Sequence, residues 1–144
     1  MSKSIFKLVM PVRWRDLDAF NHVNNASYLG YIEEARVTWF KSLSSDWSGG
    51  TAAPILAAIT VNYRKPANWP ETVVIEMMVE RIGNKSLTLG HRITSATDEG
   101  VLYADGNAVM VWIDGNGQSV VLPASVRAAC ARIQPTNRAA VTER

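Results

Sequence analysis

The chain is predicted to be an α+β protein in which an antiparallel sheet of five to six strands wraps around one long helix. Two observations predict this class. One long, apolar helical segment lies early in the chain, and a series of strand-like segments joined by short turns follows it. Because strands joined by tight turns pair antiparallel, and a segregated helix must bury its apolar side, this order favours one sheet packed on one helix.

The first two elements are a strand and the long helix. Residues 5–14 alternate apolar and polar side chains, as a half-buried strand does. A polar segment over 16–25 follows, and either Asn24 or Asn25 can cap the helix predicted over 26–44. Apolar residues cover most of the circumference of this helix, so we expect it to be buried on several sides.

The second half of the chain is predicted to be mostly strands, over residues 55–64, 72–82, 86–97, 101–113 and 118–122. Pro123 can open a final helix at its first position, continuing to about residue 133. We therefore expect a single domain over 1–134 and a loose tail over 135–144. Long strands leave edges that need pairing, which favours dimerisation.

Composition excludes several classes of protein. The formal net charge is only +2, with Lys and Arg scattered among acids, whereas a nucleic-acid binder concentrates cations in a stripe. A small anionic ligand, which needs only two or three placed cations, is compatible with this balance. Neither a charged-then-apolar leader nor an apolar run near 18 residues is present, so we expect a cytoplasmic protein without membrane contact. The single cysteine, Cys130, cannot form an internal disulfide and fits a small core position on a helix.

Two carboxylates, Asp16 and Asp18, lie where the first strand gives way to the loop before the long helix. Free N–H groups at a helix start form a partly positive site that can polarise a carbonyl oxygen. An aspartate beside that site, ionised at neutral pH, could attack the carbonyl carbon or deprotonate a water. The alternative is that both aspartates cap turns and pair with Arg13 or Arg15, and their spacing alone does not decide between the two.

A metal site is a further alternative, because Asp16, Asp18 and His22 could supply three ligands from one loop. No fourth ligand is apparent in the sequence. We therefore expect neither a metal nor another cofactor.

Residues 13–36 contain the pattern Asp-x-Asp-x-x-x-His-Val-Asn-Asn, followed by Tyr-Leu and then by Glu-Ala-Arg. This run resembles the signature of the 4-hydroxybenzoyl-CoA thioesterase family, and within it the bacterial acyl-CoA thioesterase branch. The order of elements is similar over almost the whole chain. The resemblance implies a hotdog fold, an antiparallel sheet around a central helix, in dimers and often tetramers with active sites at the dimer interface.

The resemblance also implies an activity, the hydrolysis of an acyl-CoA thioester to free CoA and a carboxylic acid. Asp18 corresponds to the catalytic carboxylate, as nucleophile or as general base. Asn25 corresponds to the residue whose backbone N–H polarises the thioester carbonyl. His22 and Asn24 match the motif and are expected to hold the loop or line the substrate site, and Asp16 is assigned to the scaffold of the loop.

Members of the family bind the CoA phosphates with surface cations near strand ends. The candidates for this role are Arg64, Lys65, Arg81, Lys85 and Arg92. Arg81 and Lys85 rank first, because they lie in a turn that resembles the basic turn of the family between two long strands. The alternative for Arg81 and Lys85 is an ordinary solvated hairpin.

Two other functions compete with hydrolysis. One is a non-catalytic acyl-CoA or acyl-carrier binding protein of the same fold, although binding alone needs no carboxylate such as Asp18. The other is a hydratase or dehydratase, which would require His22 at the reaction centre. The acyl group, the choice between CoA and acyl-carrier protein as its carrier, and the choice between dimer and tetramer cannot be read from the sequence.

Overall fold

The computed structural model describes residues 4–43 and 52–132 and has the predicted α+β architecture. Its helices and strands are, in chain order, β1 (Ser4–Pro11), α1 (Asn25–Leu43), β2 (Ala53–Tyr63), β3 (Thr72–Ile82), β4 (Ser86–Ser95), β5 (Leu102–Ile113), β6 (Ser119–Val120) and α2 (Ala124–Ala131). All strand pairings are antiparallel, in the order β1-β3-β4-β5-β2, with β6 added to β5.

The core lies between one face of this sheet and α1. Alternate side chains of β3 are buried, as expected for a strand with one face against a helix: Val73, Ile75, Met77 and Val79. Buried residues of α1 recur at spacings of three and four, and they are Tyr28, Tyr31, Ile32, Ala35, Arg36, Trp39 and Phe40. The buried side chains of β3 and of α1 therefore face each other and form one layer of the core.

The prediction that α1 is buried on several sides is wrong for the single chain. Its opposite face is exposed, including Leu29, Gly30, Glu33, Glu34 and Lys41. The physical reason is that a single sheet layer covers only one side of a helix. The apolar residues beyond that stripe are half-buried or exposed, as Leu29 is at 41%.

Several element ends differ from prediction by a few residues. β1 stops at Pro11 because the chain enters a short 3-10 helix at Trp14–Asp16. Pro123 precedes α2 as its N-cap residue rather than occupying its first position. Cys130 is a buried residue of α2, as predicted. The predicted tail over 135–144 lies outside the described residues. No helix in the described part of the chain is long and apolar enough to span a membrane.

The sheet brings two connecting segments together at one of its ends. Four antiparallel pairings separate β1 from β2, so these strands run in the same direction and both end at the same side. The segment after β1 and the segment after β2 are then joined by backbone hydrogen bonds. Val12 N–H donates to the Glu71 carbonyl and Val23 N–H to the Ala67 carbonyl, each at 2.8 Å.

Candidate active site

A cleft of about 380 Å³ opens where these two segments meet the start of α1. Five of the site residues predicted from the sequence line it: Asp18, His22, Asn25, Arg64 and Lys65. Asn24 lies beside it at the helix start, whereas Arg81, Lys85 and Arg92 do not line it. The fold therefore brings together residues that are about 40 positions apart in the chain.

Asp18 sits in a tight turn that leaves part of its carboxylate free. Its N–H donates to the His22 carbonyl at 3.0 Å, and its Oδ1 accepts the Phe20 N–H at 2.9 Å. Asn21 closes the turn with a left-handed φ of 61°, a conformation that asparagine tolerates. Within residues 4–43 and 52–132, the second oxygen, Oδ2, accepts no hydrogen bond and the carboxylate has no ion-pair partner. Because Asp18 lines the cleft, its carboxylate is a candidate contact for a molecule bound there.

Asp16 has the opposite environment. It is 4% exposed, and its carboxylate accepts the Arg13 N–H at 2.9 Å, the Arg13 guanidinium at 3.1 Å and the Tyr31 hydroxyl at 2.7 Å. Burial alone would raise the pKa of Asp16, but the hydrogen bonds from Tyr31 and Arg13 outweigh it and lower that pKa. The turn and ion-pair alternative thus holds in full for Asp16, which holds the loop through Arg13. For Asp18 only the turn part holds, through the Phe20 N–H, since its carboxylate has no ion-pair partner among the described residues.

The start of α1 is organised by Asn24. Its side-chain Oδ1 accepts the Ala26 N–H at 2.8 Å, and its carbonyl accepts the Ser27 N–H at 2.8 Å. Its own N–H donates to the Asp16 carbonyl at 2.8 Å. The Asn25 N–H meets no acceptor among the described residues. An unpaired N–H on the first residue of a long helix is a suitable donor for a partly negative oxygen.

Two aromatic residues of the cleft, Tyr28 and Tyr63, carry contacts that the sequence did not reveal. The Tyr63 hydroxyl donates to the Asn25 carbonyl at 3.1 Å, across 38 positions of the chain. The two rings pack edge to face with centroids 5.4 Å apart. Burial raises the pKa of Tyr28. Local sequence patterns cannot find such a contact, because it depends on where β2 ends relative to α1.

Arg64 and Lys65, the two cationic residues that line the cleft, differ in whether an acidic side chain already binds them. The guanidinium of Arg64 donates to Oδ1 of Asp105 from Nε at 3.1 Å and from a terminal nitrogen at 3.0 Å. Lys65 is exposed and forms no ion pair in the part of the chain that the structure describes. Lys65 is therefore the more available contact for a ligand phosphate.

Arg81 and Lys85 lie at the other end of the sheet, around the turn between β3 and β4. That turn is docked on α2, since the Arg127 guanidinium donates to the carbonyls of Gly83 and Asn84 at 2.9 and 3.2 Å. Within one chain these cations cannot act on the cleft that holds Asp18.

The three residues considered as metal ligands have separate surroundings. Asp16 is engaged by Arg13 and Tyr31, while Asp18 and His22 line the cleft. Across the described ranges, no group of three or more His, Cys, Asp or Glu is arranged to hold a metal ion.

Comparison with known proteins addresses the family of this chain. The model of the Thioesterase-like superfamily matches residues 12–130, which include every element from the 3-10 helix to most of α2. The chain belongs to the Thioesterase-like superfamily. The resemblance noted in residues 13–36 is thereby confirmed, and the thioesterase class with it.

Relatives of this thioesterase-like chain support the same conclusion. It is 35% identical over 105 residues to the long-chain acyl-CoA thioesterase FadM of Escherichia coli, covering 72% of this chain and 79% of the relative. A provisionally assigned acyl-CoA thioesterase from Xanthomonas campestris is 47% identical with a TM-score of 0.76, covering 83% of this chain and 100% of that one. A Thermus thermophilus thioesterase, solved in complex with coenzyme A and Zn, is 32% identical with a TM-score of 0.79, over 94% and 98% of the two chains. These neighbours confirm the predicted hotdog fold, whereas the roles of individual residues stay predictions.

Proposed function

We propose that the chain hydrolyses an acyl-CoA thioester to free CoA and a carboxylic acid, with Asp18 as the reacting carboxylate. One observation carries the proposal. Asp18 and Asn25 line the same cleft. Among residues 4–43 and 52–132, one oxygen of the Asp18 carboxylate accepts no hydrogen bond, and the N–H of Asn25, at the helix start, has no acceptor. These are the two groups that hydrolysis of a thioester needs.

The chemistry follows from these two groups. A thioester carbonyl oxygen accepting the Asn25 N–H gains negative charge in the transition state, and one such donor lowers the barrier by about 3 kcal/mol in other enzymes. In one route the Asp18 carboxylate attacks the carbonyl carbon, forms a mixed anhydride and releases the CoA thiolate, and water then hydrolyses the anhydride to the acid and the free Asp18 carboxylate. In the other route the carboxylate removes a proton from a water that attacks the carbonyl carbon and expels the CoA thiolate. Both routes use an ionised carboxylate, and both give the same products.

Coenzyme A is the carrier that the relatives favour, because FadM is named for acyl-CoA and the Thermus thermophilus protein was solved with coenzyme A. In this chain Lys65 is the proposed contact for the phosphates, because it lines the cleft, is exposed and forms no ion pair among the described residues. Arg64 lines the same cleft but is held by Asp105. A phosphate contact of this kind needs only a few placed cations.

A homodimer completes this proposal. β2 is an edge strand of eleven residues, and its exposed apolar side chains include Ile55 at 44% and Leu56 at 40%. A long apolar edge favours pairing with another strand, and a second copy of β2 offers one. Arg81 and Lys85 could then serve a cleft only as contributions from a neighbouring subunit. The pairing of dimers into tetramers and a cytoplasmic location remain predictions.

A panel of acyl-CoA substrates of graded chain length, followed by release of free thiol, tests the activity. Hydrolysis yields CoA and the free acid in equal amounts. A non-catalytic binding protein, the alternative function, would retain the intact thioester, and a hydratase would change the acyl group without releasing CoA. Replacing Asp18 should then separate chemistry from binding.

The Asp18→Asn variant keeps an oxygen able to accept the Phe20 N–H but loses the ionised carboxylate. We expect kcat to fall at least about 100-fold, the usual size of an acid–base or nucleophilic contribution. Affinity for a non-hydrolysable thioether analogue of the substrate should persist. An active Asp18→Asn enzyme would rule out this assignment.

A further inference from the structure

The first peptide unit of α1, between Asn25 and Ala26, is hydrogen-bonded at both ends. Its oxygen, the Asn25 carbonyl, accepts the Tyr63 hydroxyl at 3.1 Å. Its N–H, on Ala26, donates to the Asn24 side chain at 2.8 Å. The plane of this peptide unit is therefore fixed by one residue from the preceding loop and one from the end of β2.

The neighbouring peptide unit, between Asn24 and Asn25, carries the N–H that has no acceptor among the described residues. Its oxygen accepts the Ser27 N–H, and the N–H of Asn24 is held by the Asp16 carbonyl. The free N–H is thus flanked by fixed groups on both sides. A donor that is already aimed before substrate arrives stabilises a developing charge without reorganisation during the reaction.

Tyr63 differs from the other partners of the helix start. Asn24 and Asp16 belong to the same loop as Asp18, whereas Tyr63 is the last residue of β2 and reaches the helix from another element. Its ring also packs on Tyr28 within the cleft, with the centroids 5.4 Å apart. Its hydroxyl therefore links the start of the helix to the end of β2.

We propose that Tyr63 is a positioning residue for thioester hydrolysis, acting through the Asn25 peptide rather than on the reacting atoms. The inference rests on the proposed function and adds to it a residue that sets how well the carbonyl is polarised. Loss of the hydroxyl should leave the cleft in place but allow the helix start to move. The barrier of the chemical step then rises while the affinity for substrate changes little.

The test is Tyr63→Phe, which removes the hydroxyl and keeps the ring that packs on Tyr28. We expect kcat to fall about three- to tenfold, the effect of one hydrogen bond, with KM within about twofold of the wild-type value. The matched control is Tyr103→Phe, which removes a hydroxyl that donates to Glu71 rather than to the helix start. The control should retain wild-type kcat even if its melting temperature falls.

The possible results distinguish failure of this inference from failure of the proposed thioesterase function. Both kcat values are measured well below the melting temperatures of the two proteins. If Tyr63→Phe then has the same kcat as the wild type, the hydroxyl has only a structural role and the inference is wrong. A fall in kcat that Tyr103→Phe reproduces would contradict it equally. A wild-type protein that releases no CoA from any acyl-CoA would overturn the proposed function, and the role of Tyr63 with it.

Discussion

Asp16 and Asp18 are two positions apart in the chain, yet they have different surroundings and are assigned different roles. Asp16 accepts four hydrogen bonds from Arg13 and Tyr31 in a buried setting. Asp18, which lines the cleft, uses one oxygen in a turn, and its other oxygen accepts no hydrogen bond among the described residues. Since one member of the Asp16 network lies 15 residues along the chain, on the buried face of α1, the spacing of the two aspartates could not distinguish them. The family resemblance, rather than the spacing, predicted which carboxylate to assign to catalysis.

Replacing Asp16 should therefore cost stability. We expect Asp16→Asn to lower the free energy of unfolding at pH 7 by about 1.5–3 kcal/mol, the range for hydrogen bonds to a charged group. Because the folded pKa of Asp16 is lowered, its stabilisation is present above the ordinary aspartate pKa and is lost as pH falls through the lower folded value. Urea unfolding at pH 7 and at pH 3 checks this.

The difference in unfolding free energy between the wild type and Asp16→Asn should be smaller at pH 3 than at pH 7. Asp98→Asn is the control, because Asp98 is exposed and, among the described residues, its carboxylate accepts only the Gly100 N–H. A loss of stability for Asp16→Asn that is equal at both pH values would show that the carboxylate charge plays no part.

At the scale of elements, patterns within one segment were predictable and relations between segments were not. The largely apolar run within residues 72–82 predicted β3, and the structure places it at Thr72–Ile82. The polar turn and the asparagines predicted the start of α1 to within one residue. The one-sided burial of α1 and the bond from Tyr63 to Asn25 depend on how the sheet lies against the helix, which no local period reports.

The edges of the sheet give the element-scale prediction. We expect Ile55→Lys to convert the proposed homodimer to a monomer, because a charge on the exposed β2 edge opposes strand pairing. Val9→Lys is the matched control, since Val9 is 61% exposed on β1, the other edge of the sheet. Sedimentation velocity would measure both. A dimer that survives Ile55→Lys but not Val9→Lys would place the interface on β1 instead.

At the scale of the whole molecule, a buried polar group lies inside the core between sheet and helix. His91 is 2% exposed, and its Nε2–H donates to the Thr60 carbonyl at 3.0 Å. The contact passes over Gly106, whose φ is 152° and where a Cβ would lie 1.9 Å from the Thr60 oxygen. Burial lowers the pKa of His91, and the nearby Arg36 lowers it further, against the opposing effect of the Thr60 carbonyl.

The protein should therefore lose stability between pH 7.5 and pH 5.5. The unfolded chain takes up a proton on His91 near its ordinary pKa of about 6.5, while the folded chain resists it, at a cost of at most about 1.4 kcal/mol per pH unit. The His91→Gln variant should show a flatter dependence of its unfolding free energy on pH. If the unfolding free energies of the wild type and of His91→Gln depend on pH in the same way, this account is wrong.

The assignment of Asp18 to catalysis and of Asp16 to stability is tested most directly by measuring kcat for Asp18→Asn and Asp16→Asn under the same conditions. The substrate is the acyl-CoA that the wild type hydrolyses fastest. At a temperature where both variants are folded, Asp18→Asn should lose at least about 100-fold in kcat, the size of a catalytic carboxylate's contribution, and keep its melting temperature. Asp16→Asn should lose melting temperature and retain most of its turnover. Wild-type turnover by Asp18→Asn, or a greater loss of kcat in Asp16→Asn, would contradict the assignment of Asp18 as the reacting carboxylate.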